Sequence, residues 1–418
     1  MLKKISIIIL FLFSIAYPQG KLLIPMDLKQ TDHLKAYGIT YYALTKGIVV
    51  DWLLNYRGGS FMLDFNDEIA SVCRIRGVKF EQISGSAASQ ILAEVQDENN
   101  NMDVVRLEKE PKIAVYVPPG FNPWDDAVTL ALDYAQIPYD KIWNDEVLRG
   151  DLAKYDWLHL HHEDFTGQYG KFYASFANAQ WYQEQQILYE NNAKKNGYKK
   201  VSEMMRDVAF TIKNYVANGG FLFAMCSATD SYDIALAAKD VDICDRMFDG
   251  DPPDVNAQQK LDYSHTLAFT DFKLEMNPYV YEYSDIDIQP AEIGNFENDY
   301  FTLFEFSAKY DPVPTMLTQN HVNVIRGFLG QTTAFRERLI KKNVTIMGKR
   351  EGTDQVKYIR GDFGRGTFCF LGGHDPEDYQ HQVGDPPTDL SLFKNSPGYR
   401  LILNNVLFPA AKKKKQKT

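Results

Sequence analysis

Four short runs of this chain have few ways to fold except as strands of one covered sheet. They are KIAVYVPP from Lys112, YDWLHLH from Tyr155 to His161, FLFAM from Phe221, and Thr367 to Leu371, and each is apolar almost throughout. A strand with one wet face alternates polar and apolar residues, whereas one buried on both faces, as in a parallel sheet flanked by helices, does not. Helical patterns separate the runs. Asp125 to Tyr134 is one, and Val201 to Ala217 is another, with Met204, Val208, Ile212, Tyr215 and Val216 on one side and Asn218-Gly219-Gly220 as its stop signal. YDKIW adds a strand between them. The expected fold class is α/β, a mostly parallel sheet with helices on both faces.

The first part of the chain repeats the theme. KLLIPMD (Lys21 to Asp27) reads as a strand, and Thr31-Asp32 caps a helix with Leu34, Tyr37, Tyr41 and Leu44 in register, stopped by Gly47. Strands at Ile48 to Leu54 and Val78 to Ile83 follow, then GSAAS leading into a helix from Ser89. This alternation predicts a separate N-terminal α/β unit over residues 21–108, also with parallel strands, ended by the polar linker Gln96 to Met102. Residues 109–410 form the main domain, closed by a helix from Gly398 to Phe408. Two insertions interrupt it: aromatic-rich 165–200, and acidic 245–345, where YVYEYSDIDI suggests antiparallel or edge strands.

The chain begins with the order of a secretory signal peptide over residues 1–20. Lys3 and Lys4 are followed by apolar Ile5 to Ala16 and a small-x-small site, Ser14-Ile15-Ala16. That stretch is short for a membrane span, and no later run approaches about twenty apolar residues. An exported protein, periplasmic or secreted, is expected. A net charge of −10 argues against nucleic acid as a partner, and the basic tail 411–418 reads as a disordered, solvated end. A small-molecule ligand or substrate is the expected partner, with no cofactor; oligomeric state leaves no trace in the sequence. Four cysteines in 418 residues are too sparse for a disulfide scaffold, although an oxidising compartment leaves a Cys226–Cys244 bridge open.

The stretch GGFLFAMCSATD, Gly219 to Asp230, carries the sharpest chemical signal. A strand runs into Cys226 with Ala224 and Ala228 two places to either side. A nucleophile on a tight strand-to-helix turn sits in a strained conformation that only small neighbours accommodate, and the following helix N-terminus favours a thiolate. A base stands after the last apolar strand, in Gly372-Gly373-His374-Asp375-Pro376-Glu377. There His374 can project over the sheet end, with Asp375 or Glu377 to orient it.

In this order of elements the chain resembles class I glutamine amidotransferases and their relatives, including trehalose-utilisation-type proteins, over roughly residues 110–235 and 355–410. The resemblance implies a flavodoxin-like sheet with Cys226 as nucleophile, His374 as base and Glu377 as orienting acid. The family's elbow has glycines where this chain has Ala224 and Ala228. Its acid lies two residues after the histidine, where Glu377 lies three. Cys226 is therefore read as a nucleophile, as the remnant of a non-catalytic elbow, or as a structural cysteine. Where the family carries a glycine-rich oxyanion loop, this chain has His161-His162-Glu163-Asp164. With Asp375, His161, His162 and Glu163 are candidate ligand-binding residues. The cluster His161, His162, Glu163 and Asp164 could also bind a metal together with His374, but adjacent histidines on a strand point to opposite sides, and the plainer reading is a polar loop with one packed histidine and no metal.

The cysteine reading is a hydrolase acting on an amide or related acyl bond through a thioester. Its alternative is a non-catalytic binding module that holds a small polar ligand such as a sugar, and a metal-dependent enzyme is third. Exported chains of this look are also labelled asparagine synthetase B-like, yet this one has no N-terminal nucleophilic cysteine and no Ser-Gly-Gly-x-Asp-Ser loop. Asn55-Tyr56-Arg57-Gly58-Gly59-Ser60 could cradle an anion, but reads more simply as a turn.

Overall fold

The computed structural model describes residues 20–120, 126–288, 290–294, 299–311, 322–378 and 385–411. The signal stretch up to residue 19 and the lysine tail from residue 412 lie outside the described residues.

The N-terminal unit holds β1 (Lys21–Ile24), α1 (His33–Thr45), β2 (Val50–Leu54), β3 (Ser60–Asp64), α2 (Asp67–Arg76), β4 (Glu81–Ile83), α3 (Gly85–Gln96) and β5 (Asp103–Leu107). Its strands pair in the order β4-β1-β3-β2-β5, every pair antiparallel. This corrects the parallel expectation. The unforeseen strand is SFMLD, which follows β2 so closely that only a hairpin can join them, since a parallel crossover needs a dozen or more residues. The hairpin turn is the stretch considered as an anion cradle. Arg57 sits in it at φ +47 with its guanidinium 2.7 Å from Asp27 and 3.0 Å from Glu81, so the chain's own carboxylates satisfy it. The polar stretch after α3 turns into β5, which pairs with β2. Helix α3 starts at Gly85, capped by the Ser84 hydroxyl, four residues before the expected start.

The second sheet begins with β6 (Ile113–Tyr116), α4 (Ala127–Ala135), β7 (Asp140–Ile142), α5 (Asn144–Leu148) and β8 (Trp157–Leu160). The short α6 (Tyr173–Phe176), α7 (Gln180–Lys195) and α8 (Val201–Ala217) lead to β9 (Phe221–Met225) and α9 (Asp230–Ala237). Short helices α10 (Arg246–Asp249), α11 (Ala257–Lys260) and α12 (Pro290–Ile293) precede β10 (Tyr300–Leu303), β11 (Val324–Arg326), β12 (Phe335–Arg336) and β13 (Thr345–Lys349). The long strands β14 (Gln355–Phe363) and β15 (Gly366–Leu371) and helix α13 (Pro397–Leu407) finish the fold. The strand order is β11-β10-β13-β14-β15-β9-β8-β6-β7, with β12 paired to β14. From β7 to β15 all pairs are parallel; from β15 to β11 all are antiparallel. The fold is α/β as expected, but the sheet is mixed. The run YVYEYSDIDI contributes only isolated bridges, Leu274–Ser284 and Asp287–Phe335.

Alternate residues of the parallel strands enter two separate cores, as two-sided burial requires. Ile113, Val115, Phe223, Met225 and Leu371 face a layer of α1, α4 and α13, which also covers the N-terminal sheet. Ala114, Tyr116, Leu158, Leu222 and Phe370 face α5, α8 and α9. The shared helix layer binds the two sheets into one core. Tyr37 of α1 donates to Asn404 of α13 at 2.6 Å, and the buried Arg400 donates to Gly58 O in the hairpin turn at 2.7 Å. Among the described residues no helix is long and apolar enough to cross a membrane.

The tightest point of this layer is Gly38, where an added β-carbon would stand 1.8 Å from Ala135 O of α4. An exposed helical Gly→Ala exchange stabilises by up to about 1 kcal/mol. Gly38→Ala should instead destabilise the fold by roughly 1–3 kcal/mol, as overpacking does. Urea denaturation would measure it, and both sheets should unfold earlier together.

Candidate functional site

The parallel strands β6, β8, β9 and β15 end at one edge of the sheet, where α/β folds place their sites. At the end of β9 the backbone swings through Cys226 at φ +50, a region few residues other than glycine occupy, and a single 3-10 turn leads into α9. The expected elbow is thus present, and its tight packing explains the small residues: Ala224, Ser227 and Ala228 are fully buried. Ala228 N–H donates to His161 O at 3.0 Å, tying the elbow to the end of β8.

A segment no sequence reading singled out passes over the sulfur. A β-carbon on Gly330 would lie 3.0 Å from His374 N and 3.1 Å from Cys226 Sγ, so any side chain there would press on its neighbours. The buried Lys357 holds the segment by donating to Phe328 O and Thr333 O, both at 2.9 Å, and Gln331 Nε2 donates to Gly170 O at 2.8 Å. Burial pushes the Cys226 thiol up to about 11, opposed by the backbone N–H groups of Thr332, Gln331 and Ser227. All four cysteines are free, so no Cys226–Cys244 bridge forms, and the Cys244 thiol donates to Thr166 O.

His374 follows β15 across Gly373, whose φ of +100 and contact with Phe328 require glycine. The acids assigned to orient its ring have other partners. Asp375 accepts from the N–H groups of Glu377 and Asp378 and from the hydroxyls of Thr388 and Tyr399, closing its own turn. Glu377 bonds Ser396, and burial raises its carboxyl. Among the described residues, the rings of the two histidines after β8 lie beside that of His374, with centroids at 4.3 Å for His161 and 5.8 Å for His162. The expectation that only one of these could face the site is corrected. β8 has ended at Leu160, and Glu163 Oε2 accepts from His161 N–H at 2.8 Å, turning the chain so that both rings approach His374. Asp164 closes the next turn by accepting from Thr166 and Gly170.

Behind His161 lies Asp126, the N-cap of α4, whose Oδ1 accepts from Val128 and Thr129 N–H. His159 Nε2 stands 3.0 Å from its Oδ2 and His161 Nδ1 3.3 Å from its Oδ1. Burial alone would raise this carboxyl, but the imidazoles of His159 and His161 hold it well below the usual range. The signal for this pair was present: His159 lies in an otherwise apolar strand and needed a buried partner. Asp230, one turn beyond Cys226, was quoted only as part of the elbow motif. It is buried, accepts from the Thr332 hydroxyl at 2.9 Å, and burial raises it to about 7.

No protein-family model matches the chain, and no curated protein matches it. Among solved structures, the cytoplasmic protein STM3548 from Salmonella typhimurium aligns at 11% identity over 72% of this chain and 100% of its own, with a TM-score of 0.35. The cytoplasmic protein STM1381 from Salmonella typhimurium LT2 aligns at 13% over 72% and 100%, with a TM-score of 0.36. The GH42 beta-galactosidase Gan42B aligns at 12% over 64% of this chain and 28% of its own, with a TM-score of 0.27. Likenesses this weak carry no argument about fold or activity.

Asp230 makes a pH-dependent prediction. A carboxyl raised from 3.8 to about 7 favours the folded state most when protonated, so its contribution is complete below about pH 4 and is lost as pH rises through about 7. Asp230→Asn keeps an acceptor for Thr332 and removes that loss. The variant should gain on the native protein between about pH 4 and 7, reaching an advantage on the order of 1–4 kcal/mol at about pH 8. Denaturant midpoints at the two ends of that range measure it; a constant difference would show that Asp230 does not titrate there.

Proposed function

We propose that this chain is an exported hydrolase of class I glutamine amidotransferase-like architecture that cleaves an amide or related acyl bond through Cys226. The observation that carries the reading is the positive φ of Cys226 at the end of a central parallel strand. Strain of this kind costs on the order of 1–3 kcal/mol and is kept where it serves a site. Numbered along the chain, the five parallel strands stand in the order second, first, third, fourth, fifth, the order of flavodoxin-like folds, which supports the amidotransferase-like assignment.

In this reading the Cys226 thiol gives its proton to His374. The sulfur attacks the carbonyl carbon, the amine leaves with a proton, and water hydrolyses the thioester to return the free thiol. The amide N–H groups of Gln331 and Thr332 serve as donors to the sulfur or to the oxyanion, and Gly330 must move aside for substrate to reach it. Export, read from Lys3-Lys4 and the apolar run after them, would separate the protein from the ATP-using partner that a glutaminase domain normally feeds. A stand-alone hydrolase follows.

One observation favours a second reading, a binding module for a small polar ligand such as a sugar. Phe172 packs on Trp181 and on Tyr281 with centroids at 5.8 and 5.6 Å, and Tyr279 and Tyr281 stay 59% and 43% exposed, which forms an aromatic wall near the elbow.

Alkylation with limiting iodoacetamide near neutral pH, followed by peptide mapping, tests the first reading. Cys226 should react ahead of Cys73, Cys244 and Cys369, and at least about tenfold more slowly in His374→Ala. A Cys226 no faster than the other three, or indifferent to His374, overturns the nucleophile and leaves the binding module.

A further inference from the structure

We infer that His161, His162 and His374 form a binding site for a divalent transition-metal ion of the zinc type, with Asp126 behind it. Each of the three histidines offers a nitrogen, and these nitrogens lie within 4.8 Å of one another. Ligand nitrogens around a tetrahedral ion at about 2.1 Å stand roughly 3.4 Å apart, so small side-chain rotations close the site. Imidazole is a preferred ligand of zinc, copper, nickel and ferrous ions, and three protein ligands leave a fourth position for water or substrate.

His161 supplies the independent observation. Its side chain is completely buried and its Nε2 makes no hydrogen bond. A buried imidazole nitrogen left without a partner costs free energy unless something supplies one. Its other nitrogen faces the Asp126 carboxylate at 3.3 Å. A slight turn of the ring makes that approach the carboxylate–histidine bond by which an acid orients a metal-binding imidazole, with Nε2 directed at the ion. His159, on the far side of the carboxylate, holds Asp126 in turn. The chain builds the cluster from three separate devices: the Glu163 bond that turns His161 and His162 to one side, the glycine at 373, and the cap of α4. His162 is exposed while His161 and His374 are buried, so the cluster is open to solvent on the His162 side.

The inference goes beyond the cysteine reading and does not rest on it.

The full chain, freed of metal by dialysis against a chelator, is titrated with zinc by calorimetry and with cobalt by visible absorption. One equivalent should bind with a Kd at or below the micromolar range, and cobalt should give the intense bands of a tetrahedral site. His162→Ala, at an exposed position that should leave folding intact, should weaken binding at least about tenfold. Asp126→Asn should weaken it by about 10- to 100-fold, as loss of a supporting carboxylate does. Cys226→Ser should bind as the native chain does, which separates this result from the alkylation result. No stoichiometric binding, an octahedral cobalt spectrum, or equal affinity in His162→Ala would overturn the site.

Discussion

The carboxylate of Asp126 is the interaction on which the organisation of the sheet edge depends. An isolated buried charge of this kind is among the costlier groups a fold can contain, and it persists only because every face of it is answered. Two backbone N–H groups of α4 meet it from one side, and from the other the imidazoles of His159 in β8 and of His161 just after it. The helix dipole and the imidazoles act together, which fixes α4, the end of β8 and the rings of His159 and His161 as one rigid body. The rest of the site is hung on it: His161 O receives the elbow through Ala228 N–H, and the ring of His161 packs on His374.

The helix layer beneath makes that rigidity affordable. Strands β6, β8, β9 and β15 need a cover on both faces, and the N-terminal sheet needs one on its inner face. Helices α1, α4 and α13 answer both needs at once. Helix α1 is therefore buried almost all the way round, and its sequence lacks the polar stripe that a surface helix carries. The N-terminal unit works as the second wall of a shared core, which gives α4, and so the cap at Asp126, a fixed seat.

The parallel half of the fold was legible because its physics is local. Two-sided burial writes itself as continuous apolar runs, and α8 was bounded to the residue by its periodicity and its Asn-Gly-Gly stop. The N-terminal sheet was misread because α1 and α2 made an alternating pattern around a hairpin, and the direction of pairing is decided by the length of a connection rather than by the strands. In the site, Cys226 and His374 were visible from their small neighbours and strand ends. Asp126 was not, since a capping residue announces a helix but not what its second oxygen will meet. The acids chosen for His374 by spacing, Asp375 and Glu377, close turns and bond Ser396 because a glycine at φ +100 redirects the chain just before them. Gly330 had no local signal at all; its importance arises from a long-range approach.

The parallel pairing of β9 with β15 sets Met225 opposite Leu371, so the cysteine elbow and the glycine-histidine turn emerge side by side from strands far apart in the chain. The stretch between them, which includes the antiparallel strands β10 to β14, is the loop that this pairing closes. Closing so long a loop is entropically slow, and topologies of this kind form their distant contacts late. The imidazole cluster is therefore a marker of this long-range pairing: the first four parallel strands hold His161 and Asp126 together, and the third ring arrives only when β15 joins β9.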